Sequence, residues 1–508
     1  GAVVAKEAGF DGIEIHAVHE GYLLDQFATA AMNWRDDEFG GSVENRLRFC
    51  KEIIDAIHES CGEDYPVLMR YSVVSKMKNW NDGALPGEDY QEFGRDYQES
   101  IEIAQYLEKI GYAALDVDNG TYDSWYWPHP PVYMPEYCNL KDVTFLKKHV
   151  NIPVYCAGKM ADPEVCNDEI AKGNIDGVAL ARILLADPDW ANKAQANIKD
   201  EIKPCIGCHI GCLGRLFQGK RMGCAINPEC GSEICYHYEK SDIQKHIVIV
   251  GGGIAGMEAA LDATKKGYLA TIYEASNQLG GAFISASAMS FKKEDKKLIQ
   301  WYINECQKAG VQFVMNTKIT PELIDSLQFD ELIIATGAKA RQLSNIKGLE
   351  KVKVINAKDA LLHPEIVGEK VTIIGGGLTG IEMAYDMVLS GKQVDVVEIK
   401  DSILGMDVVC AANGQMLQQI IKYYHIPVHL SASIDHFEEG KVYYTQDNTQ
   451  HTIECDTIIS SIGYISDNQL YDTLKDKYKD HIHLIGDSLQ VSNLLGATWS
   501  AAELIQKL

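Results

Sequence analysis

Cys205, Cys208, Cys212 and Cys224 stand with two, three and eleven residues between them. Thiolates at such short spacing can wrap one soft metal centre, because a tight loop brings three sulfurs round one corner and a fourth closes it. A structural zinc site usually pairs two Cys-x-x-Cys knuckles across a longer gap, and this run does not. Four unrelated buried thiols are the bland alternative, and the density of the cluster argues against them. The run therefore predicts a [4Fe–4S] cluster, with Cys230 and Cys235 close enough in sequence to be spare ligands.

A second constellation lies near the start, in Glu14-Ile15-His16-Ala17-Val18-His19-Glu20-Gly21-Tyr22. Two imidazoles and a phenol at one predicted strand end can converge on a small ligand. His16 and His19 would hold a carbonyl or carboxylate oxygen, and Tyr22 would donate a proton. Any one of these histidines alone is more often a structural hydrogen-bonder.

Two glycine-rich turns carry the third chemistry. His246–Val250 leads into Gly251-Gly252-Gly253-Ile254-Ala255-Gly256, and Glu274 ends the next strand 23 residues after Gly251. The glycines let backbone approach a pyrophosphate at a helix N-terminus, and the carboxylate accepts from a ribose diol. Val371–Ile374 leads into Gly375-Gly376-Gly377-Leu378-Thr379-Gly380, and Glu398 again follows the first glycine by 23 residues. One such turn is a weak signal, but two with identical spacing predict two dinucleotide sites. Glu398 accepts from a free 2′-hydroxyl and repels a 2′-phosphate, which favours NADH over NADPH, although Lys400 stands two residues on.

The elements that must position these groups come in order. The chain has 508 residues, 46% hydrophobic and 23% charged, so several ordinary domains are expected. A net charge of −25 disfavours nucleic acid and anionic membrane surfaces as partners. No membrane span or signal peptide is visible, and the remaining cysteines read as free thiols in a reducing cytoplasm. Short apolar runs at 12–16, 67–72, 113–118, 154–157 and 177–180 alternate with amphipathic helices at 45–59, 97–109 and 163–172. These five βα units suit the C-terminal part of a (β/α)8 barrel, with three units missing at the front, and a fragment is the favoured explanation.

The run His16–Phe27, with Asn33-Trp34-Arg35-Asp36-Asp37-Glu38-Phe39-Gly40-Gly41-Ser42-Val43-Glu44-Asn45-Arg46, resembles the Old Yellow Enzyme barrels. With the cysteines and the two nucleotide turns, the whole chain is similar to the multidomain branch of that family. That branch holds 2-enoate reductase, 2,4-dienoyl-CoA reductase, bile-acid flavin reductases and trimethylamine dehydrogenase. Trp34 and Phe39 depart from the pattern, where many members carry smaller or hydroxylated residues.

The resemblance implies FMN in the barrel, with Arg70 against the reduced isoalloxazine. Gly158, Lys159, Ala181 and Arg182 would hold its phosphate, and His129 would lie near the proton-donating Tyr22. It also implies that Gly281, Gly337, Gly486 and Asp487 contact FAD. The expected layout is a partial barrel over 1–203, an iron–sulfur segment over 204–240, FAD domain pieces over 241–365 and 481–508, and an NAD(H) domain over 366–480. The implied activity is NADH-dependent reduction of an activated C=C bond through FAD, [4Fe–4S] and FMN. The substrate would be a 2-enoate, an enoyl-CoA or a Δ4-3-oxo bile acid or steroid. Amine oxidation of the trimethylamine type and a non-catalytic flavin electron carrier are the alternatives, and homo-oligomer formation is left open.

Overall fold

The computed structural model describes residues 1–236, 238–404 and 409–508. The chain forms two compact units, one of residues 1–181 with 411–420, the other of residues 182–410 with 421–508.

In the first unit the strands Ile13–Val18, Val67–Ser72, Ala114–Asp118, Val154–Ala157 and Gly177–Ala179 lie side by side in chain order, all parallel. Helices between consecutive strands give the βα repeat of a barrel wall. Local chemistry fixes where those helices start. Asp96 accepts from the Glu99 N–H to cap Tyr97–Lys109, and Asp162 caps Pro163–Ala171, whose proline stands in the first turn. The helix expected over 45–59 is divided into Val43–Arg46 and Arg48–Cys61 at Leu47. Val67, Met69 and Tyr71 point into a core with Ile54, Ile103, Leu107, Leu115 and Val117, while Arg70 takes the other face.

Register then does the positioning. His16 pairs with Arg70 and Arg70 with Asp116, so three side chains line up across three strands. Asp118, two residues on, shares the face of Asp116. A register shift between His16 and Val18 marks an irregularity just before the first strand ends, where bulges often re-aim a side chain.

In the second unit, Gln312–Val314, Leu269–Tyr273, His246–Val250, Glu331–Ile334 and Ile482–Leu484 form one parallel sheet in that order. The 3-2-1-4-5 order belongs to a doubly wound dinucleotide fold. A second parallel sheet orders Val354–Asn356, Thr457–Ser460, Lys370–Ile374, Gln393–Val397 and Val428–His429.

Two expected boundaries move. Val354–Asn356 lies before residue 366 but pairs with Thr457–Ser460 of the second sheet. Leu474 lies before 481 but packs with Val248, Leu332 and Ile482 of the first. The chain crosses between the two folds at the antiparallel ribbon Ala338–Ala340 with Tyr464–Ser466. A nucleotide motif locates a domain's first loop, whereas its edge strand can come from chain that precedes the motif. Among the described residues, no helix is long and apolar enough to cross a membrane.

Arg95 and Asp25 form an ion pair inside the first unit, with both side chains at 0% exposure and Nη1 2.6 Å from Oδ1. Arg95 also donates to the Ser72 carbonyl at 3.0 Å, and Asp25 accepts from the Gly21 N–H at 2.8 Å. Removing one partner of a buried pair strands the other charge and costs about 3–5 kcal/mol. Replacing Arg95 by Leu should therefore lower the unfolding free energy by about that amount, measured by urea titration against the unaltered protein.

Candidate active site

The histidine loop is built on two successive left-handed residues, Glu20 at φ +56° and Gly21 at φ +78°. Asp25 holds the Gly21 N–H, and the Tyr122 N–H donates to the Glu20 carbonyl at 3.2 Å. Tyr22 then serves as the N-cap residue of helix Leu23–Ala28. The loop accommodates Glu20 by this double turn, not by lengthening the strand.

His19 is buried beneath His16. It is 1% exposed, and both ring nitrogens are committed: Nε2 lies 2.7 Å from Asp118 Oδ1, and Nδ1 lies 2.9 Å from His16 Nε2. Both histidines are expected from the sequence to face substrate; in the structure His19 is buried and hydrogen-bonded to His16 and Asp118. His16 is the exposed member, and His19 positions it.

Burial pushes both imidazoles down, His19 well down, and the Arg70 guanidinium adds to the effect. Both rings are therefore neutral at neutral pH. Burial pushes Asp118 up to about 6, opposed by Arg70. Above that pH Asp118 is a carboxylate and can only accept, so His19 Nε2 carries the proton and Nδ1 accepts. His16 then donates from Nε2, and its Nδ1 becomes a donor only when the ring gains a second proton.

Arg70 pairs with Asp116 and Asp118, leaving its side chain 14% exposed. Tyr22 meets His16 edge to face at 4.8 Å between ring centres and Tyr122 at 5.6 Å. Burial raises the Tyr22 phenol, with Tyr122 and the Glu20 charge adding to it, so it stays protonated across the neutral range. His129 Nε2 lies 2.8 Å from Glu20 Oε1, and the Trp125 indole N–H donates to Oε2 at 3.4 Å. Burial alone would raise Glu20, but the hydrogen bond from His129 prevails and holds it low.

At the end of Val154–Ala157, Gly158 turns at φ +114°, and a Cβ there would fall 2.4 Å from Asn139 Nδ2. Lys159 follows at φ +52° and donates from Nζ to the Met134 carbonyl. A tight strand-end turn with an ammonium beside it is a donor set that suits a phosphate monoester. Ala181 ends the first unit and Arg182 opens the second. Arg182, expected at that phosphate, donates from Nη1 to His209 Nε2 at 2.7 Å.

Within the second unit, Cys205, Cys208, Cys212 and Cys224 line one small cavity together with Arg182 and His209. None is in a disulfide. Burial pushes Cys208 well up, Cys212 up to about 11 and Cys224 up to about 12, a bias that a coordinated cation reverses. Among the described residues, the group of ligand atoms close enough to share one ion is His16, His19 and Glu20, all within 4.8 Å. The thiols are not such a group. A tetrahedral zinc with bonds of about 2.3 Å would draw sulfurs to within roughly 4 Å of one another. Four thiolates lining one cavity are a ligand set that suits an iron–sulfur cluster. Cys230 and Cys235 are not among the residues lining the cavity.

The nucleotide turns divide their glycines by job. A Cβ on Gly251 would fall 2.4 Å from the Ala335 carbonyl oxygen, and one on Gly256 would fall 2.1 Å from that of Gly251. Gly253 faces open space except for Gly281 Cα at 3.9 Å, so a pyrophosphate can approach there at the N-terminus of Ile254–Lys265. Gly375, Gly380 and Gly377 repeat the three roles, with nothing within 4 Å of a Cβ on Gly377.

Glu274 accepts from the Gly252 and Ser276 N–H groups, and Glu398 from those of Gly376 and Lys400. Glu398, Gly375, Gly377 and Lys400 line a cavity of about 590 Å³. Gly337 turns just after the strand Glu331–Ile334, and the Asp467 N–H donates to its carbonyl. Gly486 donates to Ser500 Oγ at 2.8 Å, and Asp487 Oδ1 accepts from the Ser492 N–H.

Sequence reasoning missed Asp118, Asp116, Asp25 and Arg95. The Asp116-x-Asp118 alternation at a strand end was a readable sign of two acids on one face. Asp25 and Arg95 carried no spacing signal, being 70 residues apart.

Residues 1–201 match the model of the NADH:flavin oxidoreductase / NADH oxidase family, and 245–492 that of pyridine nucleotide-disulphide oxidoreductase. A cinnamate reductase of Clostridium sporogenes is 43% identical over 509 residues, covering 100% of this chain and 76% of that protein. An NADH oxidase of Thermoanaerobacter brockii is 36% identical, covering 98% and 75% respectively. A solved 2-naphthoyl-CoA reductase with 2-naphthoyl-CoA superposes at a TM-score of 0.91 with 27% identity, covering 100% of this chain and 75% of that one.

Anaerobically prepared protein should contain about four irons and four sulfides per chain. Cys208→Ser should lose most of them, by metal analysis and visible absorbance. Stoichiometric zinc in place of iron would contradict the assignment.

Proposed function

We propose, from the premise that the chain belongs to the NADH:flavin oxidoreductase / NADH oxidase family, that it reduces an activated carbon–carbon double bond conjugated to a carboxylate or thioester. It is a flavin-dependent oxidoreductase with NADH as donor. The observation that carries the substrate reading is the exposed His16 imidazole set edge-on to the Tyr22 phenol, which is protonated at neutral pH, one group for an oxygen and one for a carbon. Bound to the chain, FAD, the cluster and FMN supply the electron path from NADH and the hydride acceptor–donor chemistry at the double bond.

The chain's own residues have separate tasks. Glu398 accepts from the nicotinamide nucleotide's ribose, Glu274 and Gly253 serve FAD with Gly281, Gly337, Gly486 and Asp487, and Arg70, Gly158, Lys159 and Ala181 serve FMN. The four cysteines hold the cluster with Arg182 and His209 beside them. Asp118 fixes the tautomer of His19, which fixes the orientation of His16.

A substrate carboxylate brings the negative charge that lets His16 take up a second proton. His16 Nδ1–H then donates to the substrate oxygen while Nε2–H still donates to His19. Tyr22 delivers its proton to the α-carbon, and Glu20 keeps His129 turned toward this corner. The 590 Å³ cavity at Glu398 supports a nicotinamide-driven reductase over an amine dehydrogenase, which would not need bound NADH.

The test is anaerobic NADH oxidation with cinnamate, crotonyl-CoA and a Δ4-3-oxo steroid. One of these should be reduced, and Tyr22→Phe should slow that reduction about 100-fold or more while NADH still reduces the flavin at the normal rate. Full turnover by Tyr22→Phe would remove Tyr22 as the acid.

The pH dependence has a definite sign. The free His16 pKa lies below 6.5, and binding of an anion requires the charged ring. The Kd of an enoate should therefore rise up to about tenfold per pH unit as pH climbs above the pKa of free His16, levelling off only above the pKa of the complex. A flat profile from pH 6 to 9 would show that His16 does not charge on binding.

A further inference from the structure

The reaction above uses His16, His19 and Glu20 one at a time, yet together they are a ligand set. His16 Nε2, His19 Nδ1 and one Glu20 oxygen all lie within 4.8 Å of one another. Along a regular strand, residues three apart point to opposite faces. The register shift between His16 and Val18, with the left-handed backbone of Glu20 at φ +56°, brings the later two side chains back beside His16.

Burial and support distinguish this trio from a chance surface cluster. His19 and Glu20 are each 1% exposed. A charge taken out of water is normally paired or bound to a metal ion. Glu20 has imidazoles as partners, with His129 Nε2 at 2.8 Å and His19 Nδ1 at 3.7 Å from Oε1. A carboxylate offers about four lone-pair directions, so Oε1 can hold an ion and still face His129. Behind His19 stands Asp118, its Oδ1 2.7 Å from Nε2. A carboxylate on the far nitrogen of a histidine is the arrangement that orients a metal-binding imidazole and raises its basicity. The charges suit as well: burial keeps both imidazoles neutral at neutral pH, and Glu20, despite its burial, is held ionised by His129.

Distances and donor type select the ion. Zinc, with bonds of about 2.1 Å, sets tetrahedral ligand atoms roughly 3.4 Å apart. His16 Nε2 and His19 Nδ1, now 2.9 Å apart, need to open a little, and His19 Nδ1 and Glu20 Oε1, at 3.7 Å, need to close a little. Calcium and magnesium favour oxygen ligands and are poorly served by two imidazoles.

We propose that His16, His19 and Glu20 form a zinc-binding site whose fourth position is open to a carboxylate. The ion replaces the proton between the two rings: His16 Nε2 gives up its hydrogen and Nδ1 takes one, so no net proton is released. His19 keeps its Nε2–H on Asp118. Two neutral imidazoles and one carboxylate leave a divalent ion with surplus positive charge, which attracts an anionic oxygen to the open position. The inference rests on the double-bond reductase reading only for the anion, an enoate carboxylate. There the ion supplies, without a second proton on His16, the positive charge that the carboxylate needs.

The test dialyses flavin- and cluster-loaded protein anaerobically against chelator-buffered zinc, then counts bound zinc by metal analysis and reads its ligands by X-ray absorption. About one zinc per chain should show a nitrogen and oxygen shell at about 2.0–2.2 Å, without sulfur at about 2.3 Å. Glu20→Gln should weaken zinc binding about tenfold or more, and Asp118→Asn, which no longer fixes the His19 tautomer, about 10- to 100-fold. The absorption spectrum is read on the unaltered protein, so it decides the site even where a variant fails to fold. Bound zinc should also lower the Kd of crotonate and of cinnamate about tenfold or more. A sulfur shell, no zinc beyond that held by Glu20→Gln, or competition between zinc and the enoates would overturn the site. If neither enoate binds or is reduced, the reductase reading fails by itself, and the zinc spectrum still decides the ligand set.

Discussion

A single buried ion pair, Asp25 with Arg95, sets the geometry on which the barrel-mouth chemistry depends. Neither side chain sees solvent, and between them they reach three separate pieces of chain. Arg95 grips the carbonyl of Ser72 at a strand end, while Asp25 grips the N–H of Gly21 in the loop that carries Tyr22. Taking two charges out of water is expensive, and an apolar pair of similar volume would often be no less stable. What the ions provide here is direction. Each supplies hydrogen bonds to backbone groups that an apolar pair would leave unfixed, and the left-handed turn at Glu20 and Gly21 has to be held by something.

From that loop outward, charge is sorted by burial. Three strands in register carry His16, Arg70 and Asp116 side by side, with Asp118 on the same face. Burial raises both acids against the pull of Arg70, and burial, with the same cation adding to it, keeps the neighbouring imidazoles neutral. Glu20 pushes the other way on Tyr22, helping to keep the phenol protonated. In the proposed reaction, a neutral imidazole that can be charged by an anionic ligand, beside a phenol that holds its proton, would separate the binding of an oxygen from the protonation of a carbon. The two tasks need opposite responses to negative charge, and neighbouring residues supply them.

Much of this was legible in the sequence, for identifiable reasons. The twin glycine turns with carboxylates at equal spacing are read from local backbone demands, and in the structure a Cβ would crowd backbone at Gly251, Gly256, Gly375 and Gly380 but not at Gly253 or Gly377. The cysteine run is likewise local, and the thiols share one cavity. What spacing could not reveal was which groups are spent on one another. His16 and His19 look equivalent on paper, yet only the fold shows that Asp118, 99 residues away, claims His19. Arg95 and Asp25 were silent for the same reason. The domain crossings at 338–340 and 464–466 were missed because an edge strand can be donated from chain before the motif that names its fold.

The decisive measurement is on the protein carrying Asp25→Ala and Arg95→Leu together, which removes both buried charges and leaves neither stranded. Reduced anaerobically and mixed with an enoate that the unaltered protein uses, its flavin reoxidation can be followed directly by absorbance. If the ion pair exists to hold the Gly21–Tyr22 turn, the double variant will fold and accept electrons from NADH normally, yet reoxidise about tenfold or more slowly. Reoxidation at the unaltered rate would contradict the account, because it would show that Tyr22 finds its position without the pair.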